Sequence, residues 1–359
     1  MKIAYVINSV EGGGAALPVP DVTGVMRKLG HHVEIFALAR RDGKAIAPME
    51  RAGLRVHVRE GSRTDHVSAF LWLKREMAAY RPDVIWTSLT RATLLGQVVG
   101  KFLRVPVVSW QHSARLKPMN ARLLRLLRNR SALWIADSAC VEQMTRRTLG
   151  IAPDRILRWP IFCAHEDFPQ ASPWKPGETL RIGTLGRLHP VKGYDTLCAA
   201  ISLLHGKSTL PLFEVLIAGE GEERARLEAM IARDNLPVRL VGYVSDPPAF
   251  LAGLHLYTQP SLWEGFCLGA HEAMLARLPV VASRAGEMPF TITDKTGRIV
   301  PPENPEAFAN ALQELLEKPE SLSSMGAEAR RVVLERFGEA HFEQTGKNVM
   351  SRVEEIVGR

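Results

Sequence analysis

Cysteine is scarce in this 359-residue chain. There are four, Cys140, Cys163, Cys198 and Cys267, scattered without a Cys-x-x-Cys pair or a neighbouring histidine at zinc spacing. That argues against a disulfide framework or a zinc site and fits a reducing cytoplasm. Long apolar runs are missing too, since no stretch approaches the roughly 18 residues that a membrane-spanning helix needs. The amino terminus does not read as a secretory signal. Lys2 is followed only by the apolar run Ile3–Ile7 before Asn8 and Ser9, which reads as a first buried strand. No short internal repeat and no low-complexity tract is visible.

What is present is ordinary in amount and uneven in placement. Hydrophobic residues make up 46% and charged residues 23%, as in a soluble globular protein. The length suggests about two domains, each able to bury its own core. Met1 to Lys175 carries 27 Lys+Arg and 14 Asp+Glu, a balance of +13, and the remainder carries 19 and 24, a balance of −5. A basic half beside an acidic half points to two domains with different partners. For the basic half these are nucleic acid, an anionic membrane surface or a phosphate-bearing acceptor.

Short apolar runs alternate with helical patterns throughout. Strands are expected at Ile3–Ile7, Val33–Ala37, Val56–Val58, Val84–Thr87, Val107–Ser109 and Leu133–Asp137, with helices such as Phe70–Tyr80 and Ala121–Asn129 between them. Pro160, Pro169, Pro173, Pro176 and Gly177 break this rhythm. A second series follows, with strands at Arg181–Leu185, Phe213–Ala218, Val238–Val241, Leu254–Gln259 and Val280–Ser283. Helices fall near Tyr194–Leu204, Arg224–Arg233, Leu268–Ala276 and Pro305–Glu317, and one more runs from Ser321 to the end. Strands spaced by helices imply parallel, doubly wound sheets. The expected fold is therefore α/β, with two Rossmann-like domains facing a cleft: 1–165, a linker 166–178, 179–342, and a terminal helix 343–359 returning to the first domain. In such sheets ligands bind beyond the carboxyl ends of the strands.

The richest chemistry follows a strand end near Gln259. The string Glu264-Gly265-Phe266-Cys267-Leu268-Gly269-Ala270-His271-Glu272 places a turn glycine before a helix start. Free N–H groups at Phe266, Cys267 and Leu268 can hold a phosphate there. Glu264 precedes the helix and Glu272 sits one turn inside it. One carboxylate can face a sugar and the other a ribose, accepting from vicinal hydroxyls. A second constellation, Gly186-Arg187-Leu188-His189-Pro190-Val191-Lys192-Gly193, puts two cations in a loop that opens a helix, suited to a diphosphate. Gly219 and Gly221 follow another strand, where they serve either close ligand approach or an ordinary turn. Gly242-Tyr243 could flank a base. In the first half, Gly12-Gly13-Gly14 follows the first strand, and His112 follows another and could touch a reacting sugar. A glycine loop alone is weak evidence, and a lone histidine is more often structural.

Together these segments resemble the retaining GT-B glycosyltransferases of family 4: a glycine-rich first loop, a strand-end histidine, a G-R-x-x-x-x-K-G loop, a G-x-G turn and an E-x7-E motif, spread over nearly the whole chain. The resemblance implies that Arg187 and Lys192 bind the donor diphosphate, Glu264 the transferred sugar near its 3- and 4-hydroxyls, and Glu272 the ribose. It further implies that backbone at Phe266–Leu268, and Gly13 with Gly14, approach phosphate. His112 would meet the sugar's 6-hydroxyl or a developing positive charge. The chain departs from the pattern at Ala15–Pro18, Ile161-Phe162 and Ala285-Gly286-Glu287.

No Asp-x-Asp, the usual grip on a diphosphate-bound metal, occurs anywhere. The expectation is metal-independent transfer with retention and no cofactor, from a nucleotide sugar (UDP before GDP) to a glycan or lipid-linked acceptor, with Arg187 and Lys192 in the metal's place. Residues 115–130 alternate Arg115, Lys117, Arg122, Arg125, Arg128 and Arg130 with leucines at helical spacing. Leu123, Leu124, Leu126 and Leu127 are expected on one face, as in a core-packed helix or one lying on an anionic bilayer. Three other readings compete. An epimerase of the same fold would make no glycosidic bond. A nicotinamide oxidoreductase would need a G-x-G-x-x-G that Asn8–Gly14 lacks. A nucleic-acid-binding protein would leave the E-x7-E string unexplained.

Overall fold

Seven runs of the amino half pair as parallel strands. They are β1 (Lys2–Ile7), β2 (His32–Ala37), β3 (Arg55–Val58), β4 (Val84–Ser88), β5 (Val107–Gln111), β6 (Leu133–Ala136) and β7 (Ile156–Arg158), arranged β3-β2-β1-β4-β5-β6-β7. Six more form a second parallel sheet, β10-β9-β8-β11-β12-β13. These are β8 (Leu180–Leu185), β9 (Phe213–Ala218), β10 (Val238–Gly242), β11 (Leu256–Gln259), β12 (Val280–Ser283) and β13 (Gly297–Val300). The computed structural model describes residues 1–62 and 64–358. It divides into two units, Met1–Cys163 with Glu339–Arg359, and Ala164–Gly338.

The central strands are buried on both faces, which is why they read as unbroken apolar runs rather than alternations. β1 pairs with both β2 and β4, register Ile3↔Val33 and Ile3↔Val84. β8 likewise lies between β9 and β11. Strand order therefore reverses between β1 and β4 and again between β8 and β11, which are the positions where doubly wound sheets bind ligands. In the first unit Trp86, Trp110 and Trp159 interlock. Phe342, from the helix Glu339–Val357, lies 5.6 Å from Trp159 and joins that carboxyl-terminal segment to the same core.

Several expectations need correction. β7 and β13 fall outside the expected strands: they are three- and four-residue edge strands containing Arg158, Gly297 and Arg298, too short and polar for a periodic signal. The single helix expected from Ser321 onward is two, Leu322–Phe337 and Glu339–Val357. Gly338 is extended, and Ala164 N–H donates to the Phe337 carbonyl at 2.8 Å, which removes that carbonyl from the helical ladder. The proline-rich stretch from Ala164 onward lies against the second unit, Ala171 N–H reaching Ala276 O at 2.8 Å. The basic helix begins at Pro118, a residue suited to a first helical turn, and ends at Leu127. Its leucines do not share a face: Leu124 is buried, while Met119, Leu123 and Leu126 are exposed. No helix among the described residues is long and apolar enough to cross a membrane.

Candidate functional site

The carboxyl ends of β8 and β11 bring the two strongest motifs together. After β8, residues 186–193 run through a single 3-10 turn into the helix Tyr194–Leu204. After β11, residues 260–267 lead into the helix Leu268–Leu275. Lys192 Nζ donates to Glu264 Oε1 at 2.6 Å, with the side chains only 22% and 12% exposed. Burial pulls the Lys192 ammonium down. Its attraction to Glu264, with smaller help from Cys267 and Tyr194, outweighs this and holds it above the usual lysine range. Lys192 is therefore a fixed positive charge at any physiological pH.

Glu264 is oriented by groups that the motif does not show. Leu185 N–H donates to the Tyr257 hydroxyl at 3.1 Å, which donates to Gln259 Oε1 at 3.0 Å. Gln259 Nε2 donates to Ser261 Oγ at 2.8 Å, and Ser261 donates to Glu264 Oε1 at 2.6 Å. The chain is directed, each group using its donor on the next, so the carboxylate can occupy few positions. Tyr257, Gln259 and Ser261 escaped the sequence reading. Their signal was there, as polar residues at the end of a strand whose neighbours are buried.

Arg187 is exposed, and no ion pair or hydrogen bond engages its guanidinium among the described residues. Glu272 lies one turn inside the helix, half-buried, and its carboxylate has no hydrogen-bond or ionic partner among the described residues. Burial alone pushes it from the ordinary value of 4.5 up to about 7. Cys267 precedes the helix with φ 70°, the left-handed conformation that side chains rarely adopt. The N–H groups of Cys267, Leu268 and Gly269 meet no acceptor among the described residues. An anion at this helix end would find free donors and the positive end of the helix dipole. Gly265 O accepts from Glu287 N–H at 3.0 Å, and the Phe266 ring packs inward, 5.1 Å from Phe337.

Gly219 and Gly221 serve the neighbouring loop. A Cβ on Gly219 (φ 150°) would sit 1.9 Å from Gly186 O, and one on Gly221 would sit 2.1 Å from Leu188 O. Only glycine lets the turn after β9 touch the cation loop. Leu188 N–H then donates to Glu220 O at 2.9 Å, fixing the backbone that carries Arg187. Tyr243 follows β10 with its side chain exposed.

In the first unit, the Gly12–Gly14 loop follows β1. Gly12 N–H donates to Asp42 at 2.9 Å, Gly13 faces open space, and none of the three, Gly14 included, has a positive φ. His112 follows β5 with both ring nitrogens engaged, Nε2 2.8 Å from Ser88 Oγ and Nδ1 3.2 Å from Asp137 Oδ2. Ser88 ends β4 and Asp137 follows β6, so three neighbouring strand ends hold one imidazole.

Comparison with known proteins follows this division. The model of the family "Glycosyl transferases group 1" matches residues 179–318, and that of "Glycosyltransferase Family 4" matches residues 12–163. The Staphylococcus aureus poly(ribitol-phosphate) alpha-N-acetylglucosaminyltransferase is 28% identical over 160 residues, 44% of this chain and 32% of that protein. The Arabidopsis thaliana sulfoquinovosyl transferase is 26% identical over 285 residues, 71% of this chain and 54% of that one. The chain thus spans about a third to a half of these relatives' lengths. The crystal structure of Anabaena HepE in complex with UDP-glucose superposes with a TM-score of 0.86 at 21% identity, covering 98% of this chain and 100% of that one. At that identity the likeness is one of fold.

Proposed function

The chain belongs to glycosyltransferase family 4, of GT-B fold, and from that premise we propose that it transfers a hexose-type sugar from a nucleoside diphosphate sugar to a hydroxyl of a glycan or lipid-linked acceptor. The observation that carries this reading is the joint end of β8 and β11. There a fixed ammonium, a free guanidinium, acceptor-free helix N–H groups and an unpaired carboxylate lie on two loop-and-helix segments tied by the Lys192–Glu264 bond. Arg187, Lys192 and the N–H groups at 266–268 receive the diphosphate, Glu264 reads the sugar, Glu272 accepts from the ribose hydroxyls, and Tyr243 flanks the base. UDP is preferred to GDP, a choice supported by the complexes that Anabaena HepE forms with UDP and UDP-glucose.

In the reaction the anomeric carbon loses its bond to the diphosphate oxygen and gains one to the acceptor oxygen, with retention. The acceptor proton passes to the departing phosphate. Charge growing on that phosphate is met by groups already in place, which is where preorganised electrostatics lowers a barrier most. Arg187 and Lys192 stand in for a divalent cation. In the first unit, His112, Gly13 and Gly14 are the groups we assign to substrate.

The acceptor side motivates a membrane reading. From Val84 to Ala136 the sequence has nine Lys or Arg and no Asp or Glu. On the helix Pro118–Leu127, Met119, Leu123 and Leu126 form an exposed apolar row at i, i+4, i+7 beside Arg122 and Arg125. That combination suits the cytoplasmic face of an anionic bilayer carrying a lipid-linked acceptor better than it suits nucleic acid. The test of the catalytic reading is a panel of nucleotide sugars, scored by thermal shift and by slow hydrolysis. A UDP-sugar should stabilise the protein and be hydrolysed to free sugar. Absence of any stabilisation across the panel would overturn the reading, and recovery of an epimerised nucleotide sugar from a donor-only incubation would favour the epimerase.

A further inference from the structure

Cys267 occupies a backbone conformation for which glycine is the ordinary choice, with φ 70° and ψ 72°. Something must hold it there. Its carbonyl accepts from His271 Nδ1 at 2.9 Å, one turn into the same helix. His271 is wholly buried, and its ring is confined by Phe266 at 4.2 Å and by the edge of Phe337 at 5.4 Å. Nε2 lies 3.1 Å from Thr291 Oγ1, and Arg336 reaches the same oxygen at 3.0 Å.

The direction of these bonds is fixed by chemistry. A carbonyl only accepts, so Nδ1 carries the proton. A guanidinium only donates, so Arg336 donates to Thr291, and the single Thr291 hydrogen goes to the bare Nε2 at 3.1 Å in preference to its other acceptor, Glu287 O at 3.4 Å. The relay runs one way, from a cation through a hydroxyl and a neutral imidazole to the Cys267 carbonyl. Burial holds the ring's pKa down at about 4, so this tautomer persists across physiological pH. The carbonyl captured at the end belongs to the Cys267–Leu268 peptide. In a trans peptide the N–H points opposite to the C=O. Fixing the carbonyl therefore aims the Leu268 N–H, a group without an acceptor among the described residues, out of the helix end.

We propose that His271 is a positioning residue for the donor diphosphate, holding the Cys267–Leu268 peptide so that the Leu268 N–H is preset for phosphate, with Thr291 and Arg336 setting its tautomer. This rests on the reading that the helix end receives the donor phosphates. It adds a specific dependence: the anchor is needed because position 267 is cysteine and not glycine.

The experiment is UDP titration by calorimetry of the full chain as wild type, His271→Leu, Thr291→Val, Cys267→Gly and the two double variants carrying Cys267→Gly. His271→Leu should weaken UDP by about tenfold and Thr291→Val by roughly threefold, the range of a lost charge-assisted bond. Cys267→Gly keeps the backbone N–H and adopts the left-handed conformation unaided, so its own UDP affinity is the reference for the two doubles. In both doubles the loss should vanish to within about threefold of Cys267→Gly, a non-additivity that a merely structural histidine would not produce. UDP affinity unchanged by His271→Leu, or losses that multiply in the doubles, would overturn the proposal while the donor reading stands. Wild-type protein that binds no nucleoside diphosphate overturns both. Should His271→Leu fold poorly, Thr291→Val and its double decide between the same two outcomes.

Discussion

Replacing Glu272 by glutamine removes a charge that the fold by itself is poorly built to hold. The carboxylate is half-buried and unpartnered, and burial lifts it from the ordinary value of 4.5 to about 7. Its folded value therefore lies above its unfolded one, so the folded state favours the neutral form. Below about pH 4.5 both states are protonated and ionisation costs the fold nothing. The cost grows from there to pH 7 and is constant above it. At full size this displacement corresponds to roughly 3 kcal/mol, and partial solvent contact reduces it to about 2 kcal/mol. Glutamine keeps the shape and hydrogen-bonding capacity of the neutral acid. For a unit of this length, about 2 kcal/mol raises the melting temperature by roughly 4–8 °C.

The same substitution should damage binding. A carboxylate accepting from two ribose hydroxyls makes charge-assisted bonds, and losing them should weaken a UDP-sugar by roughly tenfold to a hundredfold. Stability and affinity therefore move in opposite directions. The assay is a series of urea melts and calorimetric titrations of wild type and Glu272→Gln between pH 5 and pH 8.5. The stability advantage of the variant should be about a quarter of its full size at pH 5 and fully developed by pH 8. A variant that is no more stable at pH 8, or whose advantage does not change with pH, would refute the account of Glu272 as an unpaired acid awaiting a ligand.

Further outcomes follow from the same geometry. Because ribose binding needs the ionised form, wild-type affinity for a UDP-sugar should improve by up to about tenfold per pH unit below pH 7 and level off above it, a dependence that Glu272→Gln should lose. Lys192→Ala should abolish measurable turnover, since it removes a transition-state cation and leaves Glu264 without its partner. Arg187→Ala should cost about tenfold to a hundredfold in kcat/KM, and equal losses for the two would argue against their separate placements. Glu264→Gln should bind UDP alone at least as well as wild type while UDP-sugar turnover falls by about a hundredfold, and parallel losses would count against its assignment to the sugar. Changing Arg122, Arg125 and Arg128 together to Glu, or Leu126 alone to Glu, should release the protein from phosphatidylglycerol-containing vesicles in co-sedimentation. Retention of binding by both variants would end the membrane reading.

The sheets were legible because both are parallel and buried on each face, which turns their central strands into unbroken apolar runs. Phe213–Ala218 and Val280–Ser283 lie where the composition puts them. The edge strands were not legible: β7 and β13 take their place by completing a ladder, and nothing in Ile156–Arg158 or Gly297–Val300 marks that locally. Gly338 was similarly silent. Its break in the last helical pattern depends on Ala164, far away in sequence, donating to the Phe337 carbonyl. Leu123 and Leu126 misled for a related reason. Spacing shows that a helix has apolar positions, but only the packing of its neighbours decides that Leu124 turns inward while the other two face solvent.

For the site, the motifs named candidate residues and missed how they act on one another. Arg187 and Lys192 read as a matched pair of cations. The structure separates them, one exposed and free, the other half-neutralised by Glu264 at 2.6 Å. A pairing across 72 residues carries no local signature, and neither does the chain from Leu185 through Tyr257, Gln259 and Ser261 that holds Glu264 in place. The pairing changes the chemistry. A lone buried ammonium would be costly to the fold, and the carboxylate offsets that cost. On the proposed reading, phosphate binding to Lys192 loosens its hold on Glu264 and frees a carboxylate oxygen for the sugar hydroxyls. On that reading, diphosphate capture and sugar reading are linked through one hydrogen bond.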